Sequence, residues 1–130
     1  MQYVIDLEDL DEFRPNEYEF VRFAHGHKLG FDAATVLLTE TKPGGGPTPH
    51  LHPVEEIHVL GAGTARYEVG DDRFDVTGPA LLRLPPDIPH RFVNTGTELL
   101  LMTCFMPTAD LKTSFRPDLA RPWDQSADPQ

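Results

Sequence analysis

The chain has 130 residues, enough for one domain that buries most of its apolar surface and too few for two. With 11 Lys and Arg against 21 Asp and Glu, its formal charge is −10, so phosphate backbones and anionic leaflets repel it, and neither nucleic acid nor a membrane is expected as a partner. The lone Cys104 cannot close an internal disulfide, the acidic start "MQYVIDLEDLDEF" is unlike a signal peptide, and no run approaches the ~20 apolar residues of a membrane span; the expectation is a cytoplasmic protein.

Thirteen prolines and ten glycines leave little room for helices longer than two or three turns. Between them lie, in chain order, "EYEFVRFA" (17–24), "AATVLLTET" (33–41), "EEIHVL" (55–60), "TARYEV" (64–69), "RFDV" (73–76), "ALLRL" (80–84), "HRFVN" (90–94) and "ELLLMTCFM" (98–106). All are strand-length, and most are rich in β-branched, aromatic or leucine side chains. "GAG" (61–63), "GDD" (70–72) and "NTG" (94–96) each offer a residue tolerant of positive φ and are expected to fold one strand back on the next.

Short strands at roughly ten-residue spacing predict an all-β, antiparallel sandwich or barrel. We expect one domain over 1–130, with a barrel core at about 17–107 and a tail from 108 to 130. The stiff segment "TKPGGGPTPH" (41–50) must lie on the surface or rim a cavity. "FAHGHKLG", with His25 and His27, predicts a mobile turn rather than a site. Met102, Cys104 and Met106 share one face of the last long strand and form a core stripe. The tail predicts one helical turn before its prolines, with Phe115 and Trp123 anchoring it on the barrel or on a second subunit.

Chemistry concentrates in "PHLHPVEEIH" (49–58). On extended chain His50 and His52 point the same way; Glu56 shares a face with His58 and Leu60, while Glu55 shares the opposite one with Ile57 and Val59. His90 follows a proline-stiffened turn and opens a strand whose alternate members are Phe92 and Asn94. Three neutral imidazoles and a carboxylate suit borderline divalent transition metals rather than calcium or magnesium.

These residues carry a family resemblance. From Gly44 to Gly63 the chain reads Gly, five residues, His50, one residue, His52, three residues, Glu56, six residues, Gly63, which resembles the first motif of the cupin superfamily. "GPALLRLPPDIPHRFVN" resembles the second motif through Pro85, His90 and Asn94. It departs from it at Asp87, where the family has glycine, and at Gly78, one residue early with Pro79 in its place. Aspartate accepts left-handed backbone better than most residues, so the turn is expected to survive.

The resemblance implies a small jelly-roll β-barrel with His50, His52, Glu56 and His90 as ligands of one divalent transition metal. Iron is the first expectation, with manganese, nickel, zinc, cobalt and copper behind it. A homodimer is implied, in which an arm such as "QYVIDL" exchanges between subunits. His58 is the candidate acid or base, since an imidazole near pKa ~6.5 suits proton transfer at neutral pH. Leu60, Tyr67, Phe92 and Met102 are the candidate substrate-binding residues and point to a small, partly hydrophobic substrate. Dioxygenase chemistry is the leading expectation; a redox-neutral isomerase, cyclase or lyase is the alternative, and a non-catalytic sensor the third.

Overall fold

Alternation decides the layers: along a strand with one buried face, a slip of one residue would turn every apolar side chain to water. The computed structural model describes residues 3–123 and contains, among them, eleven strands, one α-helical turn and two turns of 3-10 helix, at Leu7–Asp9 and Pro117–Leu119. In chain order these are β1 (Asp11–Phe13), β2 (Glu19–His25), α1 (Gly26–Leu29), β3 (Thr35–Thr41), β4 (His50–Leu51), β5 (Glu56–Ala62), β6 (Thr64–Val69), β7 (Asp72–Thr77), β8 (Ala80–Leu84), β9 (His90–Asn94), β10 (Leu100–Met106) and β11 (Ser114–Phe115). Among the described residues no helix is long and apolar enough to cross a membrane.

The strands form two antiparallel sheets, ordered β1-β2-β3-β10-β5-β8 and β11-β4-β9-β6-β7. Strands far apart in sequence, β3 and β10 or β4 and β9, lie side by side, as the crossings of a jelly roll require. Between the sheets pack Leu60, Ala65, Tyr67, Phe92, Leu100, Met102 and Met106. Parity holds on β5 and β10: Glu56, His58 and Leu60 face inward with Met102, Cys104 and Met106, while Val59, Leu101 and Phe105 face out.

Every one of the eight expected strands is present. The turns are a partial correction. "GDD" closes the hairpin from β6 to β7, with Val69 opposite Asp72, but "GAG" and "NTG" fold nothing back. They carry the chain from β5 to β6 and from β9 to β10, across from one sheet to the other. Both edges of β5 are already taken by β10 and β8, so a local hairpin has no edge to use. Gly63 makes its crossing at φ 106, with Leu100 so near that a Cβ would lie 2.9 Å from its Cδ1.

The 41–50 loop rims the cavity described below, and β9 holds it there. Gly44 N–H donates to Asn94 O and Asn94 N–H to Gly45 O, both at 2.9 Å, while the Asn94 amide donates to Thr41 O and Glu98 O. Gly46 lies so close to β9 that a Cβ would collide with the Phe92 carbonyl oxygen. Asp87 does adopt left-handed backbone, at φ 63, and its N–H donates to His52 O at 2.8 Å. His25 stacks on Phe23, and His27 lies in the helical turn Gly26–Leu29, its N–H bonded to Ala109 O.

Strand pairing extends beyond 17–107 on both sides. β1 lies before that span and β11 after it, and both pair with the sheets. One turn of 3-10 helix follows at Pro117–Leu119, and the tail rests on this chain's own barrel. Buried Glu68 accepts from Arg73 Nε at 2.8 Å, Arg91 Nε at 3.1 Å and Arg121 Nη2 at 2.9 Å, with the Trp123 ring 3.9 Å from the Arg91 guanidinium. Gln2 of the expected exchanging arm and residues 124–130 of the expected tail lie outside the described residues.

Candidate metal centre

Strand pairing assembles the centre. His50 on β4 stands directly opposite His90 on β9, their rings 4.5 Å apart, and His52 follows one step beyond β4. Glu56 opens β5 in the other sheet, so three imidazoles meet a carboxylate across the gap between the sheets. One ligand atom from each of the four lies within 4.8 Å of all the others, and the set could hold a metal ion.

The hydrogen bonds set which nitrogen faces the centre. His50 Nδ1 lies 2.8 Å from Thr48 O, His52 Nδ1 3.0 Å from Lys112 O, and His90 Nδ1 3.1 Å from Ile88 O. A carbonyl only accepts, so each Nδ1 carries the proton and each Nε2 presents a lone pair. His90 Nε2 then meets Glu56 Oε1 at 3.0 Å and His52 Nε2 meets it at 3.5 Å, acceptor against acceptor. Glu56 Oε1 and His90 Nε2 are both fully buried with no hydrogen-bond partner. Orphaned buried acceptors facing one another are costly, and a cation between them removes the cost. The donor set therefore fits a divalent metal.

Charge in the centre is arranged to suit. Burial pushes the Glu56 carboxyl up, but the hydrogen bond from His58 and the close His90 ring outweigh it and hold the group well below the usual carboxylate range. Burial, with the neighbouring His90, pushes His50 down to about 4, so it is neutral and able to ligate at pH 7.

His58, expected as an acid or base, lies on the cavity wall and is 2% exposed, yet both its nitrogens are engaged. Nε2 donates to Glu56 Oε2 at 2.8 Å, and Nδ1 lies 2.7 Å from the Tyr67 hydroxyl. Burial pushes the Tyr67 phenol far above its ordinary value, so it stays protonated. The two Glu56 oxygens thus divide their work: Oε2 binds His58 and Oε1 faces the imidazoles.

A cavity of about 260 Å³ opens from this centre, touching His50, His52, Glu56 and His58. Its wall is mostly apolar, with Val21, Phe23, Leu37, Phe92 and the more exposed Phe13 and Phe115, and no Lys or Arg lines it. Of the four candidate substrate-binding residues, Phe92 lines the cavity, whereas Leu60, Tyr67 and Met102 are closed into the core cluster and do not. The inward face of β5 runs Glu56, His58, Leu60, and by Leu60 it has passed into the packed interior.

Sequence reasoning missed several members of the site. Glu19, Asn16, Leu37 and Thr113 line the cavity, and the Lys112 carbonyl fixes the His52 tautomer. Strand alternation in "EFVRF" does put Glu19 with Val21 and Phe23, but Phe20 makes the opposite face look equally apolar. A backbone carbonyl leaves no trace in composition.

The family model described as "Cupin domain" matches residues 37–106, more than half of the chain. The chain belongs to the cupin family. Among solved structures, the formate complex of Lactobacillus farciminis oxalate decarboxylase superposes on this cupin with a TM-score of 0.76 and 20% identity, covering 83% of this chain and 34% of that one. A mutant of Bacillus subtilis oxalate decarboxylase gives 0.76 and 19%, with 84% and 30% covered. A further structure of the Bacillus enzyme, concerned with its Mn(II) centres, gives the same values. This cupin spans about a third of the length of these structures, and at such identity the likeness shows the fold. No curated protein matches the sequence.

A second trio in this cupin, Glu56, His58 and Cys104, also brings ligand atoms within 4.8 Å of one another. There His58 Nε2 is spent on Glu56, and burial pushes the Cys104 thiol up, away from the thiolate that binds metal. The first set is the better metal site.

Proposed function

We propose that this cupin is a metal-dependent enzyme acting on a small, largely apolar molecule, and that its chemistry is that of a dioxygenase. The observation that carries the reading is the cluster of inward lone pairs, His90 Nε2 and Glu56 Oε1 foremost, beside an apolar cavity that His50, His52 and Glu56 line. His50, His52, Glu56 and His90 would hold ferrous iron, whose bound chemistry is to join dioxygen to an organic substrate. The chain's own part is to orient and to exclude water. Phe23, Leu37 and Phe92 keep the cavity dry, and Thr48, Ile88 and Lys112 hold the imidazoles in the ligating tautomer. A wall that offers carboxylates and no Lys or Arg among the described residues is poorly suited to a free dianion such as oxalate, despite the likeness in fold to oxalate decarboxylases.

A second reading, a redox-neutral isomerase, cyclase or lyase, is favoured by the chain of hydrogen bonds from Tyr67 through His58 to Glu56, a path along which a proton can move beside the substrate. The test begins with protein purified without added metal, whose metal is identified by elemental analysis. Oxygen uptake is then followed with catechol-like, diketone and aromatic compounds, and with oxalate as comparison. Iron with substrate-dependent uptake supports the dioxygenase. Manganese or zinc with turnover but no uptake supports the second reading, and binding without turnover a sensor. Protein without any metal overturns both enzyme readings.

We also propose that two copies pair through the outer face of the first sheet. Leu81, Val59, Leu101 and Phe105 are all exposed there on neighbouring strands, and Val59 and Leu101 border a hollow of about 450 Å³ that holds none of the centre's donors. An apolar patch of this kind on a chain of charge −10 is supported by pairing with a like face.

A further inference from the structure

The cavity holds a second buried acid that the metal centre does not use. Glu19 is 6% exposed, on the inward face of β2 beside Val21 and Phe23. Asn16 aims it: its Oδ1 accepts from Tyr18 N–H at 2.8 Å and Glu19 N–H at 3.0 Å, which fixes the amide, and its Nδ2 donates to Glu19 Oε1 at 3.0 Å. Oε2 has no hydrogen-bond partner among the described residues, and no cation there lies within ion-pair distance of the group. That oxygen is left to accept from whatever occupies the cavity, and a ligand that brings a donor answers it.

Glu19 stands apart from the metal donors. It enters on β2, separated from β5 by β3 and β10, so Cys104 on β10 lies between the two acids and is influenced by both. A molecule that reaches the metal centre with one end therefore passes apolar side chains before its other end meets Glu19. Glu56 cannot do the same work, since its oxygens are given to His58 and to the imidazoles.

We propose that Glu19, aimed by Asn16, is the specificity-determining residue of the cavity: its free carboxylate oxygen accepts a hydrogen bond from a hydroxyl or amino group at the far end of an otherwise apolar ligand. Ligands that end in a carboxylate are rejected by charge, and ligands that end in a methyl leave the acid unanswered. The inference rests on the cavity being the substrate site, and it adds the chemistry of the substrate's second end.

Four probes with one phenyl ring and a short arm test it: 2-phenylethanol, phenethylamine, 3-phenylpropionate and propylbenzene. Their binding to the protein as purified is measured by calorimetry and ligand-observed NMR, for wild type, Glu19→Gln and Asn16→Ala, with metal content determined in each. The hydroxyl or amine probe is expected to bind about tenfold more tightly than the methyl and carboxylate probes. Glu19→Gln should bring all four within about twofold of one another while leaving metal content unchanged, and Asn16→Ala should weaken the preference in part. Equal binding of the four to wild type, binding of none, or a preference that survives in a folded Glu19→Gln overturns the proposal. Discrimination by protein without metal would support Glu19 while removing the enzyme reading; metal and oxygen uptake without discrimination would do the reverse.

Discussion

Acid should destabilise the metal-free protein through His50. In the fold its imidazole is pushed down to about 4, burial first and the nearby His90 second, against 6.5 as the ordinary value. The unfolded chain therefore binds a proton that the folded one refuses, between about pH 6.5 and pH 4. Stability is whole above 6.5 and falls as the pH drops, by up to about 1.4 kcal/mol per unit for one proton. From pH 6.5 to 5 the loss is about 2 kcal/mol, or roughly 8 °C in Tm for a domain of this size. Glu56 and Glu68, held below their ordinary values, lose their contributions only further down, while Glu19, raised by burial, acts with the opposite sign near the bottom of the window. The assay is urea unfolding in excess chelator at half-unit steps from pH 7.5 to 4.5, for wild type and His50→Gln. His50→Gln should flatten the slope between 6.5 and 5. An equally steep slope in the variant, or none in wild type, would refute the assignment of that proton to His50.

Elemental analysis should find His90→Ala stripped of metal and His25→Ala fully loaded, since His25 stacks on Phe23 and is no member of the metal-binding set; equal loss from both would place the site elsewhere. His58→Leu removes the hydrogen bond that holds Glu56 Oε2, and metal affinity measured by competition with a chromophoric chelator should fall roughly 10–100-fold, with unchanged affinity counting against the positioning role. Leu81→Asp, on the exposed outer face of the first sheet, should shift the mass measured by light scattering from dimer to monomer without loss of metal; a wild type that is already monomeric refutes the pairing.

Much of the fold was legible because long strands have two readable faces. Eight segments fell where predicted, and the parity of β5 correctly separated Glu56 and His58 from Glu55. β1, β4 and β11 were not legible, since strands of two or three residues have no period to detect. Leu60 and Met102 looked like cavity wall by the same parity that found His58, and only depth along the strand placed them in the core. Tyr67 likewise meets the site from behind, through its hydrogen bond with His58 and its ring contact with Phe92.

By itself the sequence determined which donors exist and how they are spaced: His50, His52 and Glu56 on chain that alternates, and His90 after a turn that Asp87 can make. Spacing along a strand dictates facing, because side chains alternate strictly. Tertiary structure decided the rest. It set β4 against β9, brought Glu56 across from the other sheet, and supplied the Lys112 carbonyl that turns the His52 Nε2 lone pair inward. It also closed a largely apolar wall around Glu19. Those choices depend on contacts between residues far apart in the chain, which no local pattern encodes.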